Sequence, residues 1–166
     1  MSARSQLLSA RTWALVGLVV LGAACGDSGT EGSGIARVRV SGEGAAKSGY
    51  PYDRRGVQIA FADGWTLEFE KVLVSLSELE LAAGEDSVAS DRSWVVDLHL
   101  GAPELEELAD LAPQRWESFG FVIAPPTATS EPGDGVASAD LERMIGEGLG
   151  YLVVGSATHP DRGTIT

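Results

Sequence analysis

A mainly β fold, an antiparallel β-sandwich with two short connecting helices, is what this 166-residue chain predicts. Three observations predict it. Period-two alternation of apolar and polar residues recurs from residue 35 onward, as half-buried strands require. Glycine is abundant, at 21 residues, and gathers where the alternating runs stop. The aromatic residues, 7% of the chain, are spread among the runs. Many strands joined by tight turns bury such a pattern against a second layer.

Ahead of that domain lies a leader. Arg4 and Arg11 form a positive head, Trp13–Leu21 an apolar run too short to span a bilayer, and Gly22, Ala23 and Ala24 a small-residue cluster. Residues 1–24 therefore read as a secretory signal. Cys25, the only cysteine, follows directly. This layout resembles bacterial lipoprotein signals, in which the thiol is acylated and becomes the new N-terminus. That pattern usually carries Leu where Gly22 stands, and here Leu21 is one step further back. Gly22 and Ala24 also satisfy a small-x-small cleavage rule, and that alternative leaves Cys25 a free thiol. Residues 25–34 are rich in Gly and Ser and read as a flexible tether. Asp does not follow Cys25, and likeness to lipoprotein sorting then favours the outer membrane over the inner.

Residues 1–24 hold two arginines and no acid, so their removal takes the net charge from −12 to −14. Such a surface repels phosphate backbones, which excludes nucleic acid as an expected partner. With one cysteine, no disulfide forms inside the domain, and burial alone must stabilise it.

Residues 35–166 read as a single sandwich domain. Ile35–Val40 predicts a short strand with Arg37 and Arg39 toward solvent, and 41–53 a Gly-rich loop with Tyr50, Pro51 and Tyr52 at its tip. Val57–Phe61 and the run from Trp65 predict a hairpin about Asp63-Gly64. Trp65–Leu81 alternates at both ends and is apolar on both faces at Val72-Leu73-Val74, which predicts one long strand bulged near Lys71 or two strands through a bend. Trp94–Leu100 predicts a strand with Trp94, Val96, Leu98 and Leu100 inward. Pro103–Leu111, with Leu105, Leu108 and Leu111 three apart and acids between them, predicts a short helix. Trp116–Ile123 returns to strand and stops at Pro125-Pro126. Thr127–Ser138 is a polar loop containing the turn Pro132–Gly135. Asp140–Gly148 predicts a second helix with Asp140 as N-cap, and Tyr151–Ala157 a strand. Thr164–Thr166 begins the returning arm of a hairpin. An arm of that length leaves most of the preceding strand unpartnered, which reads as a truncated sequence or as a short natural edge strand.

Candidate chemistry is sparse. Asp97 and His99, two apart in a strand, leave the same face and make half a zinc or copper site, against the plainer reading of a solvated strand face. His159 and Met144 are the remaining histidine and mature methionine, and nothing in the sequence brings them to His99. Glu68, Glu70, Glu78 and Glu80 form two pairs on one face, more in keeping with the wet side of a sheet than with acid–base work or calcium. Asp134, Asp140 and Glu142 lack calcium-loop spacing. Ser75 and Ser77 lie outside any Gly-x-Ser-x-Gly elbow, and no residue carries a catalytic assignment. Tyr50, Tyr52 and Trp65 flank loops where aromatics stack on sugars or peptides, although Trp65 suits a core better.

The order of features then resembles a group of predicted lipoproteins of unassigned activity from high-GC Gram-negative bacteria. The likeness is carried by Asp63-Gly64-Trp65, Leu67 to Leu76, Trp94–Leu98, Trp116, Phe121 to Pro125, Met144 and Tyr151 to Ala157. In that group the last strand tends to run on into a further aromatic-containing strand, which this chain lacks. A fainter likeness links it to periplasmic proteins associated with copper-peptide uptake, whose histidines are missing here. The resemblance implies fold and location, not activity. The expectation is a lipid-anchored envelope protein, non-enzymatic and without a cofactor, that binds a small ligand, a glycan or another envelope protein. A periplasmic metal-binding protein using His99 and Asp97 is the alternative.

Overall fold

A computed structural model describes residues 32–42, 44–101 and 103–166. The leader 1–24, Cys25 and the tether as far as residue 31 lie outside the described residues. Among those described the order is β1 (Gly34–Arg39), α1 (Gly44–Ser48), β2 (Tyr52–Arg54), β3 (Val57–Ile59), β4 (Thr66–Ala83), β5 (Asp86–Ala89) and β6 (Ser93–Asp97). There follow β7 (Glu104–Leu111), β8 (Ser118–Ile123), β9 (Glu131–Pro132), α2 (Ser138–Glu147), β10 (Tyr151–His159) and β11 (Gly163–Ile165). The fold is mainly β, with a curled seven-stranded sheet and two small antiparallel ribbons, β1–β7 and β2–β3. One departure from the expected antiparallel pattern is the short parallel pairing of β6 with β9, which makes the main sheet mixed.

β4 is the spine. Along one edge it pairs first with β10, then through Ser75 N–H to Gly150 O at 3.0 Å, then with β8. Along the other it meets Tyr50 in a bridge at Leu67, then β6, then β5. Its centre, Leu73 to Leu76, is buried on both faces, which is why that stretch lacks alternation. Val74, Leu76, Leu79, Trp94 and Val96 point to one side, beneath Val38 and Leu105 of the β1–β7 ribbon and Phe119, Phe121 and Ile123 of β8. Leu73, Val95 and Leu152 point to the other, beneath Met144 and Leu141 of α2. A third cluster joins Leu81 to Leu108, Leu111 and Trp116.

Two irregularities shape the spine. Val154 sits opposite Lys71 and Gly155 opposite Phe69, so β4 carries an extra residue beside Lys71, which fits the single bulged strand and not the two strands through a bend that the sequence also allows. At this point β10 lies so close to β4 that a Cβ on Gly155 would stand 2.2 Å from Glu68 O, which only glycine avoids. Further on, Ser77 faces Val122 and Glu80 faces Gly120, three steps against two. Glu78 takes φ 51° there, and the added residue lets Leu76 and Leu79 share one core cluster despite their odd spacing.

The predicted helix over Pro103–Leu111 is instead strand β7, and the reason is the same device used twice. From Arg39↔Glu104 to Val38↔Glu106, and from Ala36↔Leu108 to Gly34↔Leu111, β7 gains a residue on β1. Each bulge resets the alternation, so Leu105, Leu108 and Leu111 all turn inward with helical spacing on an extended chain. Cross-strand pairs Arg37–Glu107 at 3.0 Å and Arg39–Glu104 at 2.9 Å line the wet side.

Other expectations also change. The short helix α1 occupies part of the predicted loop 41–53. β3 pairs with β2 about Arg55-Gly56, both at positive φ, and not with β4 about Asp63-Gly64. Two consecutive positive φ values suit the hairpin twist, and both β4 edges near Leu67 are already taken, by Tyr50 and by β10. Leu100 is 61% exposed, because β6 ends at Asp97 and the chain turns. α2 starts at Ser138 with Ala137 at the cap position, so Asp140 stands inside its first turn and is not the N-cap. The C-terminal hairpin forms as predicted, with β11 on β10.

Because Glu78 occupies a left-handed conformation, Glu78→Gly is expected to leave stability unchanged or raise it by up to about 1 kcal/mol, while Glu78→Val costs about 1–2 kcal/mol. Urea unfolding of both variants checks the sign difference.

Candidate functional site

The end of β6 is where the sequence-predicted chemistry meets a cavity. Asp97 is buried, and its Oδ1 accepts two backbone N–H groups, from Val72 at 3.0 Å and His99 at 2.9 Å. The carboxylate thus stitches the spine to the turn that follows β6, aided by Leu98 N–H to Val72 O at 2.8 Å. The expected solvated strand face is not what Asp97 occupies. His99 turns to α1, where Nδ1 lies 2.9 Å from Ala46 O. A carbonyl only accepts, so Nδ1 carries the proton and Nε2 holds the lone pair in the neutral ring.

Beyond Asp97 opens a cleft of about 230 Å³ lined by Val96, Asp97, Leu100, Gly101, Pro103, Gly133 and Asp134. Its far wall is the turn predicted over Pro132–Gly135. That turn is docked on β6 by Gly133 N–H to Val95 O at 2.8 Å and closed by Val136 N–H to Gly133 O at 3.2 Å. Walls of Val96, Leu100 and Pro103 are apolar, and the polar atoms come from Asp97, Asp134 and backbone. Among the described residues Asp97 Oδ2 has no hydrogen-bond partner.

The structure does not unite His99, His159 and Met144. His159 lies beyond Thr158, which faces Thr66, whereas Asp97 faces Leu73. Six steps along β10, from Leu152 to Thr158, span those positions and separate them by about 20 Å. His159 Nε2 bonds Asp63 O at 2.9 Å and its Nδ1 accepts Asp161 N–H at 3.0 Å, beside the Trp65 ring. Met144 is fully buried in the core beneath α2. Among the described residues no three His, Cys, Asp or Glu side chains converge as metal ligands. Glu68, Glu70, Glu78 and Glu80 are exposed along β4, and Ser75 is buried in its centre. Tyr50 and Tyr52 meet edge-on at 5.2 Å, with Phe61 4.6 Å from Tyr50, so these aromatics form a half-buried cluster of their own.

Sequence reasoning missed two charged clasps. Lys71 Nζ meets Asp140 Oδ2 at 2.6 Å, tying the bulge of β4 to α2. That hydrogen bond holds the Lys71 ammonium above its ordinary range, against a smaller opposing effect of burial. Arg92 spans Glu131 at 2.8 Å and Glu106 at 3.2 Å and lies over the Trp94 ring at 5.3 Å. Its bond holds the Glu131 carboxyl below the usual range. Ser93 and Ser130 share a 2.8 Å hydroxyl bond beside it. Arg92, Glu106 and Glu131 come from three separate segments, so no local pattern announces them.

No protein-family model, curated protein or solved structure matches the chain. Among the described residues no helix is long and apolar enough to cross a membrane.

Removing the Asp97 acceptor strands two N–H donors, so Asp97→Ala is expected to cost about 1–3 kcal/mol, and Asp97→Asn, which keeps one oxygen, clearly less. Denaturant unfolding of the pair measures the difference. The depressed Glu131 pKa contributes stability that is present above the unfolded carboxyl value and is lost as pH falls through the folded one. Glu131→Gln is therefore expected to lower the melting temperature at neutral pH and to flatten its fall on acidification, as a pH series of melts will read.

Proposed function

We propose that this chain is a lipid-anchored protein of the bacterial envelope whose β domain is a non-enzymatic binding module. The carrying observation is the cleft at the end of β6. A buried carboxylate forms its floor, a second acid stands at its rim, and its walls are apolar. At about 230 Å³ it takes a small group and not a drug-sized molecule. The chemistry suits a primary ammonium or other strong donor on a short apolar body: the head to Asp97 Oδ2 and Asp134, the body against Leu100, Val96 and Pro103. The chain's net charge of −12 draws cations toward it.

Anchoring rests on the leader, the small-residue cluster and Cys25. Binding as the role is supported by how the titratable groups are employed. Lys71, Asp140, Arg92, Glu131 and Glu106 clasp one element to another, and both described histidines bond backbone carbonyls.

Two measurements test the proposal. Labelled palmitate is expected to enter the full chain in a Gram-negative host and to be lost with Cys25→Ala; a chain recovered unprocessed in the cytosol overturns the anchor. Titration of the purified full chain with n-butylammonium, followed by amide NMR, is expected to give saturable shifts at Gly101, Gly133 and Asp134 that weaken about tenfold in Asp134→Asn. Shifts that never saturate, or that ignore the substitution, overturn the cleft as the site.

A further inference from the structure

Beyond the anchor and the cleft, we infer that the tip of the β2–β3 ribbon rests on an anionic phospholipid surface, with Arg54 and Arg55 on headgroup phosphates and Val57 and Phe61 beneath them in the interface. The ribbon is fastened at its base, where Tyr50 exchanges two backbone hydrogen bonds with Leu67 of β4, both at 2.8 Å. β10 and β11 lie along the opposite edge of β4. From the base the chain runs out to the turn at Arg55-Gly56 and back. None of residues 51–62 is buried, and none belongs to the three core clusters. Val57 is 60% and Phe61 40% exposed, the latter leaning on the Tyr50 ring.

Side-chain pairing, charge and backbone conformation all favour an anionic bilayer as the partner. Arg54 faces Val57 across the ribbon, so a cation and an apolar side chain leave on the same side. A bilayer interface accepts that combination: the apolar group enters the boundary between headgroups and acyl chains, and the guanidinium stays level with the phosphates. Nucleic acid offers the phosphates without the apolar layer. The use of charge points the same way. Arg37, Arg39, Lys71, Arg92 and Arg143 each hold a carboxylate. Arg54 and Arg55 hold none among the described residues. The ribbon's own acid, Asp53, is occupied in closing the turn, its Oδ1 accepting Gly56 N–H at 3.0 Å. Asp63 follows only after the chain has returned to the body, where its carbonyl accepts a bond from His159. The tip is therefore locally positive on a chain of net charge −12. Finally, Arg55 takes φ 56° at the first position of a two-residue turn that suits Asn, Asp or Gly. An arginine is held there against its backbone preference, at the end of the ribbon farthest from β4, where the fold has no use for its charge.

The test reconstitutes the full chain, leader and Cys25 included, into vesicles, so that attachment is common to every variant and only the ribbon's contact is read. A fluorophore on Gln58→Cys reports that contact through quenching by nitroxide-bearing lipid, with the signal of the unsubstituted chain subtracted. Quenching is expected to be at least about threefold stronger in vesicles of phosphatidylcholine with phosphatidylglycerol than in phosphatidylcholine alone. Arg54→Gln together with Arg55→Asn is expected to abolish the difference and leave the circular-dichroism spectrum unchanged, since both sites are exposed and Asn suits φ 56° better. Arg115→Gln with Arg162→Gln removes the same charge from exposed sites elsewhere and is expected to preserve it. Equal quenching in the two vesicles, an equal loss in both arginine pairs, or a larger fluorophore response to duplex DNA than to the anionic vesicles each overturns the inference. Palmitate labelling reports attachment and this quenching reports the ribbon, so the two readings fail separately.

Discussion

Eighteen consecutive residues of β4 run through the middle of this protein with neighbours on both edges, and every larger element is placed by its contact with that strand. The constraint is the backbone itself. A strand whose centre is buried on both faces cannot turn its N–H and C=O groups to water, so partners must be found along both edges. Five segments supply them: β10, β8, β6, β5 and the single bridge at Tyr50. Where β10 ends and β8 has yet to begin, Gly150 fills the gap with its carbonyl. Burial of Leu73 on one side and Val74 and Leu76 on the other then fixes where the covering layers go.

Bulges reconcile this long strand with a curved core. At Glu78 an extra residue bends β4 and keeps Leu76 and Leu79 on one side. β7 uses two more to bring Leu105, Leu108 and Leu111 onto one surface. Each bulge adds twist and curl. The sheet is thereby curved enough for the β1–β7 ribbon to lie across one face while α2 occupies the other.

Charge in this acidic molecule is used locally. Lys71 and Arg92 each draw carboxylates into contacts that join distant segments, α2 to the spine in one case and β9 and β7 to the start of β6 in the other. Asp97 does the same with backbone donors and in doing so ends β6 and opens the cleft behind it. The residue that makes the turn is also the floor of the proposed site, so stability and binding draw on one carboxylate.

Residues alone were sufficient for the mainly β fold, the strand β8, the α2 region and the terminal hairpin, and for the long central strand as one of two readings. These follow from period-two alternation and local turn chemistry, which act over a few neighbours. The identity of β7 did not follow, because leucines three apart satisfy a helix as well as a doubly bulged strand, and only pairing with β1 decides between them. Nor did the β2–β3 hairpin, since β3 is kept off β4 by edges already filled by Tyr50 and β10. For the site, Asp97 and His99 were legible as unusual neighbours in a strand. Their divergence, one carboxylate to the spine and one imidazole to α1, depends on a turn that exists only after β4 and β6 have paired. Short-range periodicity is written in the chain, whereas edge occupancy and the meeting of distant carboxylates with cations are settled only when the whole sheet has closed.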